Sequence, residues 1–322
     1  MRALVTGAAG FIGSAFVRHA LGGSFPGRTE VEITALDALT YAGNMENLAP
    51  VAGHPGLSFV HGDICDATLL RSLLPGHDVI VHFAAETHVD RSIEGPGAFI
   101  RTNLVGTQTL LEGARGAGIP RVIHVSTDEV YGSIAKGSWT EESPVDPNSP
   151  YAASKAGADH IALAYARTYG MNISVTRCSN NYGPYQFPEK VIPRFITQLM
   201  NGHSLPLYGN GDNIRDWLHV DDHCRGIWQV LEHGLPGEVY NIGGGSELSN
   251  LQLAHLLLEE FGFGPEMIES VPDRLGHDKR YSLDDSKLRL LGYAPQVPFS
   301  EGLRQTADWY RENSSWWRPL LP

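Results

Sequence analysis

Two adjacent carboxylic acids, Asp128 and Glu129, follow an apolar run from Arg121 to Val125 in the segment Ser126-Thr127-Asp128-Glu129-Val130-Tyr131-Gly132. Paired acids at a strand end suit proton transfer, one as acid and one as base, when their surroundings push their pKa values apart. Downstream, Tyr151 and Lys155 stand at i and i+4, a spacing that a helix places on one face about one turn apart. A phenol, an ammonium and two carboxyls could therefore share one site. Neighbours in a regular strand point to opposite faces, so Asp128 and Glu129 reach one substrate only if the backbone leaves the strand by residue 128.

These groups need a scaffold. Ala3-Leu4-Val5-Thr6 reads as a short buried strand and Ser14 to Leu21 is apolar at helical spacing, with Gly7-Ala-Ala-Gly10-Phe11-Ile12-Gly13 between them. Glycines there let the backbone turn tightly and approach a pyrophosphate at the helix N-terminus, where free N–H groups and the helix dipole favour anions. The spacing is G-x-x-G-x-x-G rather than the commoner G-x-G-x-x-G. A second strand, Val31 to Leu36, ends at Asp37, placed to accept hydrogen bonds from adenosine ribose hydroxyls. Its charge would repel a 2′-phosphate, which favours NAD over NADP.

Leu57 to Val60 is a third strand leading to Gly62-Asp63-Ile64, a contact for the adenine. Val79 to Phe83 is a fourth, ending in Ala84-Ala85-Glu86-Thr87, where small residues let the backbone lie against a cofactor. Strands alternate with helical segments at Ala67 to Leu74 and Asn103 to Ala117, and a helix is expected at Tyr151 to Tyr169. The expected fold is α/β: a Rossmann-like doubly wound parallel sheet with a smaller mixed α/β substrate-binding domain. In such sheets ligands sit beyond the carboxyl ends of the strands, where Thr127, Asp128 and Glu129 fall.

Past the strand Ile173 to Arg177, prolines and glycines become frequent and the βα rhythm weakens. The domain boundary is expected near residue 178, with 1–178 binding NAD and carrying the catalytic groups. Residues 179–322 are expected to bind the substrate, some segments packing back onto the first domain. Helices are expected at Val191 to Asn201, ahead of Leu231, at Asn250 to Phe261, Asp284 to Leu291 and Phe299 to Glu312, with Pro206 to Asp212 as a turn.

The chain has 322 residues, a net charge of −12 and no Lys/Arg-rich run, so neither nucleic acid nor an anionic membrane surface is expected as a partner. Its three cysteines form no C-x-x-C pair and suit a reducing compartment, with a cytoplasmic location expected. Gly7, Gly10 and Gly13 interrupt the apolar start before a signal-peptide core develops, and no stretch approaches the ~18–20 apolar residues of a membrane span.

Tyr151 and Lys155 behind the glycine turn resemble the short-chain dehydrogenase/reductase superfamily, and the length and later part of the chain resemble its extended branch. Thr127-Asp128-Glu129 narrows the resemblance to the nucleotide-sugar 4,6-dehydratases, most closely the dTDP-glucose 4,6-dehydratases. Further matches run along Leu39 to Asn44, Thr87 to Ser92, Asn180 to Tyr185, Arg215-Asp-Trp217 and Arg274-x-Gly-His277. The resemblance implies a hydro-lyase that converts dTDP-glucose to its 4-keto-6-deoxy product with NAD.

By that resemblance NAD would meet Gly7, Gly10, Phe11, Ile12, Gly13, Asp37, Ala38, Leu39, Thr40, Asp63, Ile64, Phe83, Ala84, Ala85, Thr87, Thr102, Tyr151, Lys155 and Asn181. The nucleotide sugar would meet Thr87, Thr127, Tyr151, Asn180, Lys190, Val191, Pro206, Leu207, Tyr208, Arg215, Asn250, Arg274 and His277. Lys190, Arg215 and Arg274 would supply the positive charge that an acidic protein needs to hold a diphosphate. The catalytic set would be Thr127, Asp128, Glu129, Tyr151 and Lys155. Lys155 and the nicotinamide charge would lower the pKa of the Tyr151 phenol so that it takes the C4 hydroxyl proton as hydride leaves. Glu129 would then remove the C5 proton while Asp128 protonates the departing C6 hydroxyl, and hydride would return to C6.

Alternatives are an epimerase or decarboxylase of the same fold, and a non-catalytic NAD-binding sensor. The family also implies a homodimer through helices near 99–117 and 151–169. His219 and His223 have a spacing that can ligate a metal. No metal is expected, because hydride chemistry on NAD needs none and Asp221 or Asp222 reads as the N-cap of the next helix. Trp316 and Trp317 carry no assignable chemistry.

Overall fold

Apolar runs without polar alternation become strands buried on both faces, which is what a parallel sheet covered by helices demands. The structure, a computed structural model, describes residues 1–27, 30–273 and 275–321. β1 (Arg2–Thr6), β2 (Glu32–Asp37), β3 (Leu57–His61), β4 (Val79–His82), β5 (Arg121–Thr127) and β6 (Ile173–Cys178) pair in parallel, in the spatial order β6-β5-β4-β1-β2-β3. Every residue of β4, β5 and β6 is buried, while edge strand β3 is only partly covered. The order reverses between β1 and β4, and such a switch point opens a crevice beyond the strand ends.

Among the described residues six further strands follow: β7 (Asn180–Tyr182), β8 (Leu205–Tyr208), β9 (Ile214–His219), β10 (Val239–Ile242), β11 (Glu247–Ser249) and β12 (Ile268–Val271). β10 joins the main sheet in parallel beside β6, making it seven-stranded. β7 and β11 flank β9, the first parallel and the second antiparallel, and β8 pairs with β12.

Helices cover both faces of the main sheet. Phe11–Leu21 and Val220–His233 bury Phe16, Val17, Ile227 and Trp228 against one face, and Ala67–Leu73, Thr107–Ala117 and Pro150–Tyr169 bury Leu70, Leu110, Leu111 and Ala162 against the other. A separate core gathers Phe195, Leu199, Leu253, Leu257, Tyr310 and Trp317 from helices Val191–Met200, Asn250–Phe261, Phe299–Glu312 and Ser314–Trp317. Full burial of a side chain of this size is worth about 1.5–3 kcal/mol, so packing, more than helix propensity, fixes these elements. Residues past 178 thus contribute to both parts: Val220–His233, β10, Leu218, Leu288 and Tyr293 belong to the main sheet and its core, and Phe195, Leu253, Tyr310 and Trp317 to the second core.

Several expectations need correcting. Pro206 to Tyr208 is strand rather than turn; Pro206 is tolerated because, among the described residues, β8 pairs only with β12 and so keeps a free edge. The helix after β9 is capped by His219, whose Nδ1 accepts the Asp221 N–H at 3.3 Å, so Asp221 and Asp222 lie in the first turn instead. The helix expected over 284–291 contracts to Ser286–Arg289. The helix expected from Asn103 begins with a π-helical stretch, Ile100–Gly106, before becoming regular at Thr107.

Candidate functional site

The glycine turn packs too closely for any side chain at two of its positions. Gly7 has φ +66°, and a Cβ there would lie 2.6 Å from the Ala84 nitrogen; a Cβ on Gly13 would lie 2.2 Å from the Gly7 carbonyl oxygen. The helix beginning at Phe11 has no side-chain cap from Gly10, so its first N–H groups remain for a ligand in the cavity that Gly10, Phe11, Ile12 and Gly13 line. Asp37 ends β2 in the same wall, its carboxylate accepting N–H bonds from Ala9 and Leu39, each at 2.8 Å. A close backbone turn, a free helix start and a fixed carboxylate at the second strand end fit a dinucleotide. Every cofactor residue named from the sequence lines this cavity except Leu39, which takes φ +49° and donates its N–H to Asp37.

β5 ends at Thr127, and a single 3-10 turn, Asp128–Tyr131, follows. The strand therefore breaks where two adjacent acids must share a site. The Thr127 hydroxyl holds the turn, accepting from the Glu129 N–H at 3.3 Å and donating to Asp128 Oδ1 at 3.3 Å. Gly132 closes it at φ +75°, where a Cβ would meet the Asp146 carbonyl oxygen at 2.4 Å. Thr127, Asp128, Glu129, Tyr151 and Lys155 all line the cofactor cavity.

Burial pushes the Asp128 carboxyl far above the usual carboxylate range, and the neighbouring Glu129 and Asp216 charges push the same way. Asp128 Oδ2 is buried with no hydrogen-bond partner, as is Asn180 Oδ1, and both residues line the cavity. The Tyr151 phenol is also pushed up, by burial first and then by Glu129; the lowering expected from the sequence takes the nicotinamide charge as well as Lys155. The Lys155 ammonium donates to the Val125 carbonyl at 2.7 Å.

A second cavity adjoins the first, sharing Glu129, Asn180, Phe187, Glu189 and Lys190. It is lined by Val191, Pro206, Leu207, Tyr208, Arg215, Asn250 and His277, so the structure brings together these residues, which the sequence assigns to the substrate by resemblance. Thr87, Thr127 and Tyr151 approach from the first cavity; Arg274 lies outside the described residues. Lys190 Nζ donates to the Thr87 carbonyl at 3.1 Å, across the junction. Arg215 is held by the Ile214 and Asp278 carbonyls at 2.8 and 3.0 Å, with its guanidinium 4.2 Å from the Tyr281 ring centre. His223 Nδ1 bonds the Asn181 Oδ1 at 2.9 Å, which ties that imidazole to a cavity residue.

A family model described as GDP-mannose 4,6 dehydratase matches residues 4–306. A dTDP-glucose 4,6-dehydratase of Streptomyces niveus is 58% identical over 321 residues, covering 99% of this chain and 96% of the relative. The chain belongs to the dTDP-glucose 4,6-dehydratase family. A crystal structure of DesIV, a dTDP-glucose 4,6-dehydratase from Streptomyces venezuelae with NAD bound, superposes with a TM-score of 0.98 at 61% identity over 100% of both chains. A UDP-glucuronic acid 4-epimerase from Bacillus cereus shares the fold at TM-score 0.91 but only 30% identity, over 97% of this chain and 99% of its own.

Beneath the family's Tyr and Lys positions lies a buried charge cluster that sequence reasoning missed. Asp159, one helical turn after Lys155, is 0% exposed and accepts from Arg177 Nε at 2.9 Å, with His124 Nε2 at 3.3 Å but not at a hydrogen-bonding angle. Burial alone would raise the Asp159 pKa, but His124, Arg177 and Lys155 together outweigh it and hold it down to about 2. Asn103 was missed too. It bonds the Glu86 N–H and carbonyl at 2.9 and 3.0 Å and Ser154 Oγ at 2.8 Å, pinning the loop after β4 to the helix that carries Tyr151 and Lys155. An i+4 acid after the Lys was a visible signal for Asp159; nothing local marked Asn103.

Proposed function

We propose that this protein converts dTDP-glucose to dTDP-4-keto-6-deoxyglucose, a hydro-lyase reaction in which bound NAD accepts hydride from C4 and returns it to C6. Tyr151 takes the C4 hydroxyl proton, with Thr127 beside it and Lys155 supplying positive charge. Once C4 is a ketone the C5 proton is acidified. Glu129 removes it, and Asp128, kept protonated by burial and by the Glu129 charge, gives its proton to the departing C6 hydroxyl. The glycine turn and Asp37 hold the dinucleotide, while Lys190 and Arg215 favour the diphosphate of the sugar nucleotide in the second cavity. In this reading residues 1–178 bind NAD and carry the catalytic groups, and 179–322 shape the substrate cavity.

The observation that carries it is the strand break at residue 128, which puts both acids in the cavity of Tyr151 and Lys155. Relatives named for this activity at 57–58% identity over nearly the whole chain support the substrate. A homodimer is part of the reading, supported by Ile100 and Val105, which are 45% and 48% exposed on the helical segment expected at the interface. So is a cytoplasmic location, supported by three cysteines with free thiols. The test is incubation with dTDP-glucose, UDP-glucose and GDP-mannose in parallel. A product one water lighter than its substrate, formed fastest from dTDP-glucose, is expected; a product of unchanged mass with inverted C4 would indicate an epimerase.

A further inference from the structure

Trp316 lies on the short helix Ser314–Trp317, far along the chain from the glycine turn, yet its indole lines the cofactor cavity. Its Nε1–H donates to Asn47 Oδ1 at 2.9 Å. Asn47 is 1% exposed and carries this contact to the turn itself, because its Nδ2 donates to the Ala9 carbonyl at 2.8 Å. The Asn47 carbonyl also accepts from Arg18 Nη1 at 2.6 Å, on the helix that the turn begins. The circuit closes through aromatic rings: the Arg18 guanidinium lies 4.2 Å from the Tyr185 ring centre, and Tyr185 meets Trp316 edge-on at 5.8 Å.

The neighbouring tryptophan has a different task. Trp317 is 0% exposed within the second core and donates to the Tyr310 carbonyl at 2.8 Å, so it anchors the segment. Trp316 is thereby left partly exposed at the cavity wall, and the residues beyond it, Leu320 and Leu321, line the second cavity. One short segment forms wall in both cavities and is hydrogen-bonded, through a single buried amide, to the backbone that cradles the dinucleotide.

We propose that Trp316 is a cofactor-retaining residue, a bolt that holds segment 314–321 against Asn47 and so closes the glycine-turn side of the cavity. Retention matters to a reaction that uses one cofactor as acceptor and then as donor in the same turnover, since release between the two steps strands the substrate as a ketone. The inference rests on the assignment of NAD to this cavity.

The test compares wild type, W316F and W316A, each loaded with isotopically labelled NAD and then mixed with excess unlabelled NAD to follow exchange. W316F keeps an aromatic ring but cannot donate to Asn47 Oδ1, and loss of a hydrogen bond to a buried acceptor should speed exchange about 5-fold or more. W316A should exchange faster still and lose its NAD on gel filtration, with turnover returning when NAD is added. Exchange from W316F within about twofold of wild type, or depleted protein that added NAD does not revive, would overturn the proposal. W316F decides alone if W316A does not fold. Wild type that holds no NAD would overturn the cavity assignment, and the bolt with it.

Discussion

Glu129 lines both cavities, whereas Asp128, its neighbour in the same 3-10 turn, lines only the cofactor cavity and is 2% exposed. One backbone turn gives two adjacent acids unlike surroundings, which is the condition for one to donate a proton and the other to accept it. Glu129 stands at the junction of the two cavities. Asp128 sits deeper, its carboxyl pushed up by burial and by the Glu129 charge.

Glu129→Gln removes the base but leaves Tyr151 and Lys155 in place. Oxidation at C4 should proceed and elimination should stall, so NADH absorbance should build up on adding dTDP-glucose while product formation falls about 10²–10⁴-fold. Stopped-flow absorbance with product analysis checks this. Normal turnover by the variant would reassign the base.

Asp128→Asn should lower product formation by a similar factor, about 10²–10⁴-fold, yet make the protein more stable at neutral pH. Asp128 has a raised folded-state pKa, so the native state holds its proton more tightly than the unfolded chain. That stabilisation is complete below the ordinary carboxylate pKa and is lost as pH rises towards the folded pKa. An amide needs no proton. The melting temperature of the variant should therefore exceed that of wild type at pH 7, and the gap should close as the pH falls below about 4, the ordinary Asp value. Thermal melts across that range measure it.

Asp159→Asn should do the reverse. Its carboxylate is held down to about 2 by His124, Arg177 and Lys155 against the effect of burial. The stabilisation is present above the ordinary carboxylate pKa and is lost as pH falls through the depressed value. Removing one partner of a buried ion pair costs about 3–5 kcal/mol, so a large loss of stability at pH 7 should shrink towards pH 2. Chemical denaturation at several pH values checks both the size and the sign.

The parts legible in the sequence are those set by short-range spacing. The glycine turn, Asp37 after the second strand, the acids after β5 and the Tyr151/Lys155 pair each declare themselves within a few residues, and the βα alternation orders the main sheet around them. What could not be read depends on groups distant in the chain. Arg177 reaches Asp159 only because β5 and β6 lie side by side under the helix, and Trp316 meets Asn47 across nearly the whole chain. β8 was misread because Pro206 signals a turn wherever the free edge of a two-stranded sheet is not foreseen.

Incubation with dTDP-glucose deuterated at C4 tests the central claim most directly. If Tyr151, Asp128 and Glu129 act in one cavity on one sugar, the product should be lighter by one water and carry the deuterium at C6, transferred within the same molecule. Deuterium back at C4 with no loss of water, or deuterium lost to solvent, would contradict the account.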